Sequence, residues 1–512
     1  MDTKTIASYK NSGLEHKLKH VIVEFCDDTT IHGYKNIGKE SNHIILRIFW
    51  TCCLVACSTY CFYSCAQVFR DFYSYSSYTK ISVVKEVPTA FPAFSFCSAK
   101  SLNMSNILTV KYINNTSSSF KNKQTARMII GNDKNLSDAI RKDMGFKIED
   151  MLYFCYFNLR FCTASDFKYF YNSLYGNCYT FNSGFFDNGT QRDIETVGSN
   201  SLAYGLDLIL YLGDPSADLF ETSYSGIFVS IHNQSYAPFS IGGFIKVGSR
   251  TSTDLILNRN FLRKLPAPYG NCLEDTSSSS AFHSEYFDYI VRNLGYNYTQ
   301  EYCNSICLQD QTIKVCGCAN IWIPNHGNSS TLFCVSANDR NCMLTKIQNK
   351  IDNFTAICSE YCPNECYSID YNVVSHHLVY PNYFDSLLLY NWYQKVGQSV
   401  SLNEIPDVFL EVSVNYHSMQ YTVTEEVIKM MQSDLLANFG GLLGLFLGMS
   451  FLSFVEIIDL IWKAFQGIIT VFVTKRQENK LSSSVKPTSL SEEKILGDAK
   501  LDYKLWGLQI ND

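Results

Sequence analysis

The sequence predicts an α+β membrane protein: two transmembrane helices flanking a large, disulfide-rich ectodomain of mixed α and β structure. Three observations carry this. One long apolar run lies near the start, Ile44 to Phe69, and a second near the end, Leu435 to Val473. Fourteen of the twenty cysteines fall between them: Cys97, Cys155, Cys162, Cys178, Cys272, Cys303, Cys307, Cys316, Cys318, Cys334, Cys342, Cys358, Cys362 and Cys366. An even set confined to one stretch reads as a disulfide framework, which forms in an oxidising compartment. The N-x-S/T acceptors share that stretch: Asn103, Asn114, Asn115, Asn135, Asn188, Asn233, Asn297, Asn328 and Asn353. Each is a candidate glycosylation site, and their joint confinement places the middle of the chain outside the cell.

The elements follow in order. Residues 1–43 mix Lys with Asp and Glu and read as a cytosolic segment. Residues 44–70 are the first transmembrane helix. At about 1.5 Å per residue this run easily crosses a hydrocarbon core of roughly 30 Å. A long polar segment precedes it and no small-residue cleavage site follows, so it is not a secretory leader. Arg47 at its inner edge can snorkel to the headgroups. Cys52, Cys53, Cys57, Cys61 and Cys65 in the span, and Cys26 before it, behave as small apolar residues and stay reduced.

Residues 71–433 form the extracellular domain. Within it, Asp407 to Tyr416 alternates apolar and polar, as a half-buried strand does. Ile347 to Cys358 has helical spacing at Ile347, Ile351, Phe354 and Ile357. Residues 434–474 are the second transmembrane helix. Residues 475–512 are a cytosolic tail rich in Ser, Lys and Glu, with the composition of a solvated segment. The protein is thus expected in the plasma membrane, multi-pass, with both termini cytosolic.

Composition excludes several classes. Charged residues make up 18% and aromatics 14%, low charge for a soluble chain. The net charge of −6 is mild, and no Lys/Arg stripe points to nucleic acid. No nucleophile–base pair or metal-ligand spacing stands out. Neither enzyme chemistry nor a cofactor nor a metal is expected.

The second span has unusual chemistry. Gly441, Gly444 and Gly448 fall at i, i+3 and i+7 and share a helix face. Small residues there permit close helix packing, or a pore face where backbone approaches ions. Glu456 and Asp459 follow at i and i+3. A carboxylate in hydrocarbon costs roughly 2.5–3.5 kcal/mol even on insertion scales. Two on one face imply a water-filled lumen or the inner membrane boundary.

Here the chain resembles a subunit of the degenerin/epithelial sodium channel (amiloride-sensitive) family, most like an invertebrate peptide-gated subunit. Phe91-Pro92-Ala93-Phe94-Ser95-Phe96-Cys97 is similar to that family's motif after the first span. So is Leu265-Pro266-Ala267-Pro268-Tyr269-Gly270-Asn271-Cys272 to a second stretch, and the cysteine spine from Cys303 to Cys366 to a third. Leu435 to Asp459 resembles the pore segment, and His32-Gly33 a gating motif before the first span.

The resemblance implies a chalice-shaped ectodomain in a homo- or heterotrimer, its pore lined by three second spans. It implies the disulfides Cys97–Cys178, Cys155–Cys162, Cys272–Cys366, Cys303–Cys362, Cys307–Cys358, Cys316–Cys342 and Cys318–Cys334. Spacing alone does not choose these pairs. It makes Gly448, Met449 and Ser450 the selectivity filter, with Ala437 and Asn438 at the gate and Gly441, Gly444, Glu456 and Asp459 along the pore. Phe72 and Tyr269 match an aromatic pair that couples ectodomain to pore.

The departures are informative. Met449 replaces a small filter residue, while Gly448 and Ser450 keep oxygen ligands suited to a hard cation. Asn438 stands where acid-sensing members carry an aspartate. The acid-pocket positions read Ser235-Tyr236, Thr345 and Gln348-Asn349. A palm carboxylate pair is replaced by Val83 and Thr422, and a wrist histidine by Ser77. His232 remains, as an ordinary strand residue. Proton gating needs groups that titrate in the working range. The leading expectation is therefore a sodium/cation channel opened by an extracellular peptide. The alternatives are a mechanically gated or constitutively open sodium channel, or a non-conducting two-span surface receptor.

Overall fold

The computed structural model describes residues 21–39, 42–103, 106, 109–111, 130, 133, 136–213, 225–239, 243–323, 331–348, 351–395 and 400–482. Asn114, Asn115, Asn135, Asn328 and Asn349 lie outside these. The chain divides into two compact units: Tyr75–Lys429, and Met1–Ser74 with Met430–Asp512.

The larger unit is mixed α/β. Its main sheet has seven strands. Six run in the order β15 (Tyr367–Val379), β12 (Thr251–Arg263), β16 (Phe409–Ile428), β9 (Leu206–Tyr211), β4 (Leu152–Phe157) and β5 (Arg160–Phe161), while β1 (Ser77–Lys85) pairs with β16 off that path. A second sheet runs β11 (Ile245–Gly248), β10 (Gly226–His232), β3 (Ala93–Ser98), β7 (Gly176–Phe181) and β6 (Phe167–Asn172). Two short pairs complete the strands among the described residues: β2 (Thr89–Ala90) with β8 (Thr196–Val197), and β13 (Cys272–Leu273) with β14 (Asn364–Glu365).

Pattern explains burial. Strands β3 and β7 are buried at every position; β3 reads as an unbroken apolar or small run, and in β7 the buried Asn177 amide donates to the Lys142 and Phe146 carbonyls. Strand β12 alternates, with Thr253, Leu255 and Leu257 inward. The largest core cluster is aromatic. Phe91 meets Phe157 at 4.9 Å and Phe157 meets Phe181 at 5.0 Å, both edge-on. The alternating stretch expected from Asp407 becomes a strand from Phe409, because Ile405–Val408 closes one helical turn first. The expected helix from Ile347 starts regularly at Ile351 instead.

Helix α2 (Gln300–Cys316) shows the cysteine logic. Thr299 caps it by accepting from the Tyr302 amide, and Gly317 ends it at φ 74°. Cys303 and Cys307, one turn apart, bond Cys362 and Cys358 at the end of α3 (Ile351–Tyr361), forming an antiparallel two-rung ladder. All seven disulfides present are the pairs the resemblance implies. Helix α4 (Tyr383–Lys395) lies beyond β15.

The smaller unit holds α1 (Ile44–Tyr73), the one unbroken helix long and apolar enough to cross a membrane among the described residues. The second apolar run is not one helix. It is α5 (Gln432–Leu447) and α6 (Phe451–Ser482), bent by 69° at the break between them. Helices α1 and α5 pack through Cys61, Cys65, Leu443 and Leu447, flanked by edge-on Tyr60–Phe446 and Phe69–Phe439 ring pairs.

Candidate functional site

The site is the break in the second apolar run. Gly448 ends α5 in the left-handed region, φ 66°, which costs an L-residue roughly 1–2 kcal/mol. Its amide donates to the Gly444 carbonyl at 3.0 Å, and the Met449 amide to the Leu443 carbonyl at 3.2 Å. Ser450 then restarts the chain. Its amide donates to Ser453 Oγ at 3.0 Å, inside the first turn of α6. The three residues Gly448, Met449 and Ser450 are therefore non-helical backbone in an apolar setting.

The N-terminal segment occupies this break. The His32 amide donates to the Leu447 carbonyl at 3.0 Å. A β-carbon at Gly448 would fall on the His32 imidazole. Gly33 takes φ 92° and caps the short helix Tyr34–Gly38; a β-carbon there would touch the Leu54 side chain at 3.3 Å. Thr30 Oγ1 and Ser453 Oγ share a hydrogen bond of 2.8 Å. Glu456 Oε2 accepts from Thr29 Oγ1 at 2.9 Å and from the Thr30 amide at 3.0 Å.

The structure thus brings His32, Gly33, Gly448 and Glu456 together. Sequence reasoning missed Thr29, Thr30 and Ser453. Their only signal was polarity next to an expected gating dipeptide, and in Ser453's case a hydroxyl in an apolar run, fully buried here.

Upstream, α5 has two faces. Leu443 and Leu447 bury against α1, while Ala437, Asn438, Gly441 and Gly444 lie on exposed positions. No described atom lies within 4 Å of a β-carbon built on Gly441, and only the Met449 carbonyl, at 3.8 Å, approaches one on Gly444. The glycines are therefore not used to pack α5 on α1. Downstream, Glu456 and Asp459 line a cavity of about 120 Å³ with Glu24, Asp28 and Lys463. Lys463 pairs with Asp459 at 3.1 Å and Glu24 at 3.7 Å.

In the larger unit, the ring that Tyr269 meets edge-on is that of Tyr75, at 5.4 Å; Phe72 is edge-on to Tyr73 within its own unit. The loop carrying Tyr269 is tied to β16, since the Leu265 amide donates to Glu426 Oε2 at 2.9 Å. Val83 and Thr422 are register partners across β1 and β16, and Ser77 pairs Ile428. None of these side chains can act as an acid.

His232 is half-buried, and burial pushes it down to about 4 against a smaller opposing effect of the Asn233 carbonyl. Nδ1 donates to that carbonyl at 2.8 Å, so Nε2 accepts from Ser95 at 2.8 Å and Ser95 from Thr180 at 2.7 Å. One carboxylate group escaped sequence reasoning. Asp207 on β9 and Asp254 on β12 both pair with Ser413 of β16, and Glu411 lies two residues away. Burial, then neighbouring charge, raises Asp207 and Glu411 above the ordinary carboxylate range. Only placement across three strands reveals that group.

Residues 25–460 match a family described as "Amiloride-sensitive sodium channel". The chain is 26% identical over 338 residues to epithelial sodium channel subunit gamma of Neoceratodus forsteri, covering 65% of this chain and 48% of that protein. It is 25% identical over 511 residues to acid-sensing ion channel 1C of Danio rerio, covering 92% and 89%. Acid-sensing ion channel 1 of Gallus gallus is 24% identical over 506 residues, covering 93% and 90%. The chain spans about half the length of the first curated relatives it matches, 48% in the Neoceratodus case.

Proposed function

The chain belongs to the amiloride-sensitive sodium channel family, and from that membership we propose that it is a subunit of a trimeric plasma-membrane sodium/cation channel opened by an extracellular peptide. In this reading α1 spans the bilayer once and α5 with α6 spans it a second time as a broken helix. The middle of the chain lies outside and both ends lie in the cytosol.

The observation that carries the proposal is the break at Gly448. In hydrocarbon, non-helical backbone is tolerated only where protein or a water-filled passage covers it. Carbonyls freed there, and the exposed Ser450 hydroxyl, are oxygen ligands of the kind that replace the shell of a hard cation. The bare Gly441–Gly444 face supports an axis where three α5 helices meet closely.

The sequon at Asn188 supports an extracellular middle. Thr190 donates from its amide at 3.0 Å and its hydroxyl at 2.7 Å to Asn188 Oδ1, and among the described residues nothing binds Nδ2. Peptide gating is supported by Val83, Thr422 and Ser77 standing where acid-sensing members titrate. The test is two-electrode recording of the expressed subunit, alone and with related subunits, under a panel of amidated peptides. A cation current that appears with peptide and is blocked by amiloride is expected. A surface-expressed protein that never conducts in any combination supports a receptor instead.

A further inference from the structure

Six cysteines stand outside the disulfides: Cys26, Cys52, Cys53, Cys57, Cys61 and Cys65. Only Cys61 and Cys65 are buried, at 1% and 6% exposure, and they are the only buried residues of α1. They lie one helical turn apart, on the face that meets α5. Both thiols sit in the one apolar cluster that joins α1 to α5. Cys61 Sγ also donates to the Leu442 carbonyl of α5 at 3.7 Å. The rest of the surroundings is apolar: Leu443, Leu447, Phe439 and Phe446.

We propose that Cys61 and Cys65 form a two-coordinate site for a soft, thiophilic divalent cation, seated between α1 and the helix that leads into the break. The donor set fixes the class. Thiolates select soft ions. Zinc needs four ligands in a tetrahedron. No group of three or more His, Cys, Asp or Glu that could hold a metal occurs among the described residues. That leaves an ion content with two sulfurs in a line, of which Hg²⁺ is the type.

Charge points the same way. Each thiol gives up its proton, two metal–sulfur bonds form, and the dication becomes a neutral dithiolate. A monovalent ion that displaced both protons would leave a net negative charge in an apolar seam, which is costly. The thiols serve otherwise as small packing residues, and without metal that is their role.

Binding has a consequence at the break. Close-packed interfaces do not absorb added volume without shifting. Leu443 and Leu447 line the site, and their carbonyls hold the Met449 and His32 amides. An ion wedged at Cys61 and Cys65 displaces α5 there and suppresses current. This last step rests on the channel reading; the binding does not.

The experiment uses the full chain with Cys26, Cys52, Cys53 and Cys57 changed to Ser, in lipid nanodiscs, titrated with Hg²⁺. Thiolate-to-metal charge-transfer absorption and proton release are recorded. One ion per chain is expected, with two protons released, and excess Zn²⁺ does not displace it. Adding Cys61→Ser or Cys65→Ser weakens binding by roughly 100-fold or more, at least what indirect partners of a metal cost. Two ions per chain, equal competition by Zn²⁺, or unchanged affinity in the single-thiol variants would overturn the site.

In oocytes the four-serine chain is expected to lose peptide-evoked current to Hg²⁺ and regain it with a dithiol chelator, and Cys61→Ser to abolish that block. Binding without block overturns the coupling to the break. A parent that never conducts overturns the channel reading and leaves the nanodisc result to decide the site.

Discussion

The imidazole of His32 stands where a β-carbon on Gly448 would be, and the two backbones are joined through the His32 amide and the Leu447 carbonyl at 3.0 Å. Gly448 is therefore constrained twice, by φ 66° and by a neighbouring ring. Gly448→Ala should reach the surface and lose most current. The double variant with His32→Ala should recover part of it, since the ring is removed but the left-handed strain of roughly 1–2 kcal/mol stays. Surface biotinylation beside current amplitude checks this. Full current in Gly448→Ala would mean that the break does not govern conduction.

Gate and filter should separate. Ala437 is exposed on α5, on the opposite side from the α1 contact. In the proposed trimer this side faces the three-fold axis, where a bulky residue forces helices apart. Ala437→Phe should give standing amiloride-sensitive current with ion preference little changed. Ser450→Cys should keep activation but shift the reversal potential when potassium replaces external sodium. The reverse assignment of phenotypes would place filter and gate the other way round.

Tyr269 meets Tyr75 edge-on at 5.4 Å. Such a pair is worth roughly 0.5–1.5 kcal/mol beyond burial. Tyr269→Ala should traffic normally and lose most peptide-evoked current. A double-mutant cycle with Tyr75→Ala on the half-maximal peptide concentration should show coupling of that size. Strict additivity would assign the coupling to another partner, Phe72 first.

Acidification to about pH 5 should not by itself open the channel. His232, pushed down to about 4 by burial, stays neutral there. Its folded value is lowered from 6.5, so its contribution to stability is whole above that pH and erodes as pH falls from 6.5 towards 4. The thermal midpoint of the parent should fall across that window more than that of His232→Gln. Should an acid-evoked current appear, Asp207→Asn with Glu411→Gln tests whether the raised carboxylates carry it.

Disulfide removal should scale with the loop closed. Cys97–Cys178 spans 81 residues and Cys155–Cys162 spans 7. Chain-entropy reasoning gives about 4.5 kcal/mol for the first and about 2.5 kcal/mol for the second. Paired Cys→Ser variants compared by chemical denaturation of the full chain rank them.

Much of this was legible in advance, for stated reasons. The first apolar run is expected over 44–70 and forms α1 over Ile44–Tyr73, because hydropathy over that length leaves few choices. The strand near Asp407 was visible as alternation, but its extension to Ile428 was not, since β16 changes partners past Tyr416, where its register with β12 shifts. The break was invisible to hydropathy. Leu435 to Leu447 and Phe451 to Val455 are apolar on both sides of the break, and one left-handed glycine interrupts the run without altering its mean hydropathy. The bonds from Thr29 and Thr30 to Glu456 span more than four hundred residues, so no local period announces them.

Strands β1 and β16 are joined over nine residues, from Ser77 with Ile428 to Lys85 with Gln420. A hydrogen-bonded ladder resists stretching far better than it resists twisting. Both crossings of the chain out of the larger unit begin at the same rung. The two outgoing strands share one mechanical port, so they cannot be drawn apart, only turned together. Any motion carried along this pair is in that sense a torque, and its sense is set by the handed twist of the sheet.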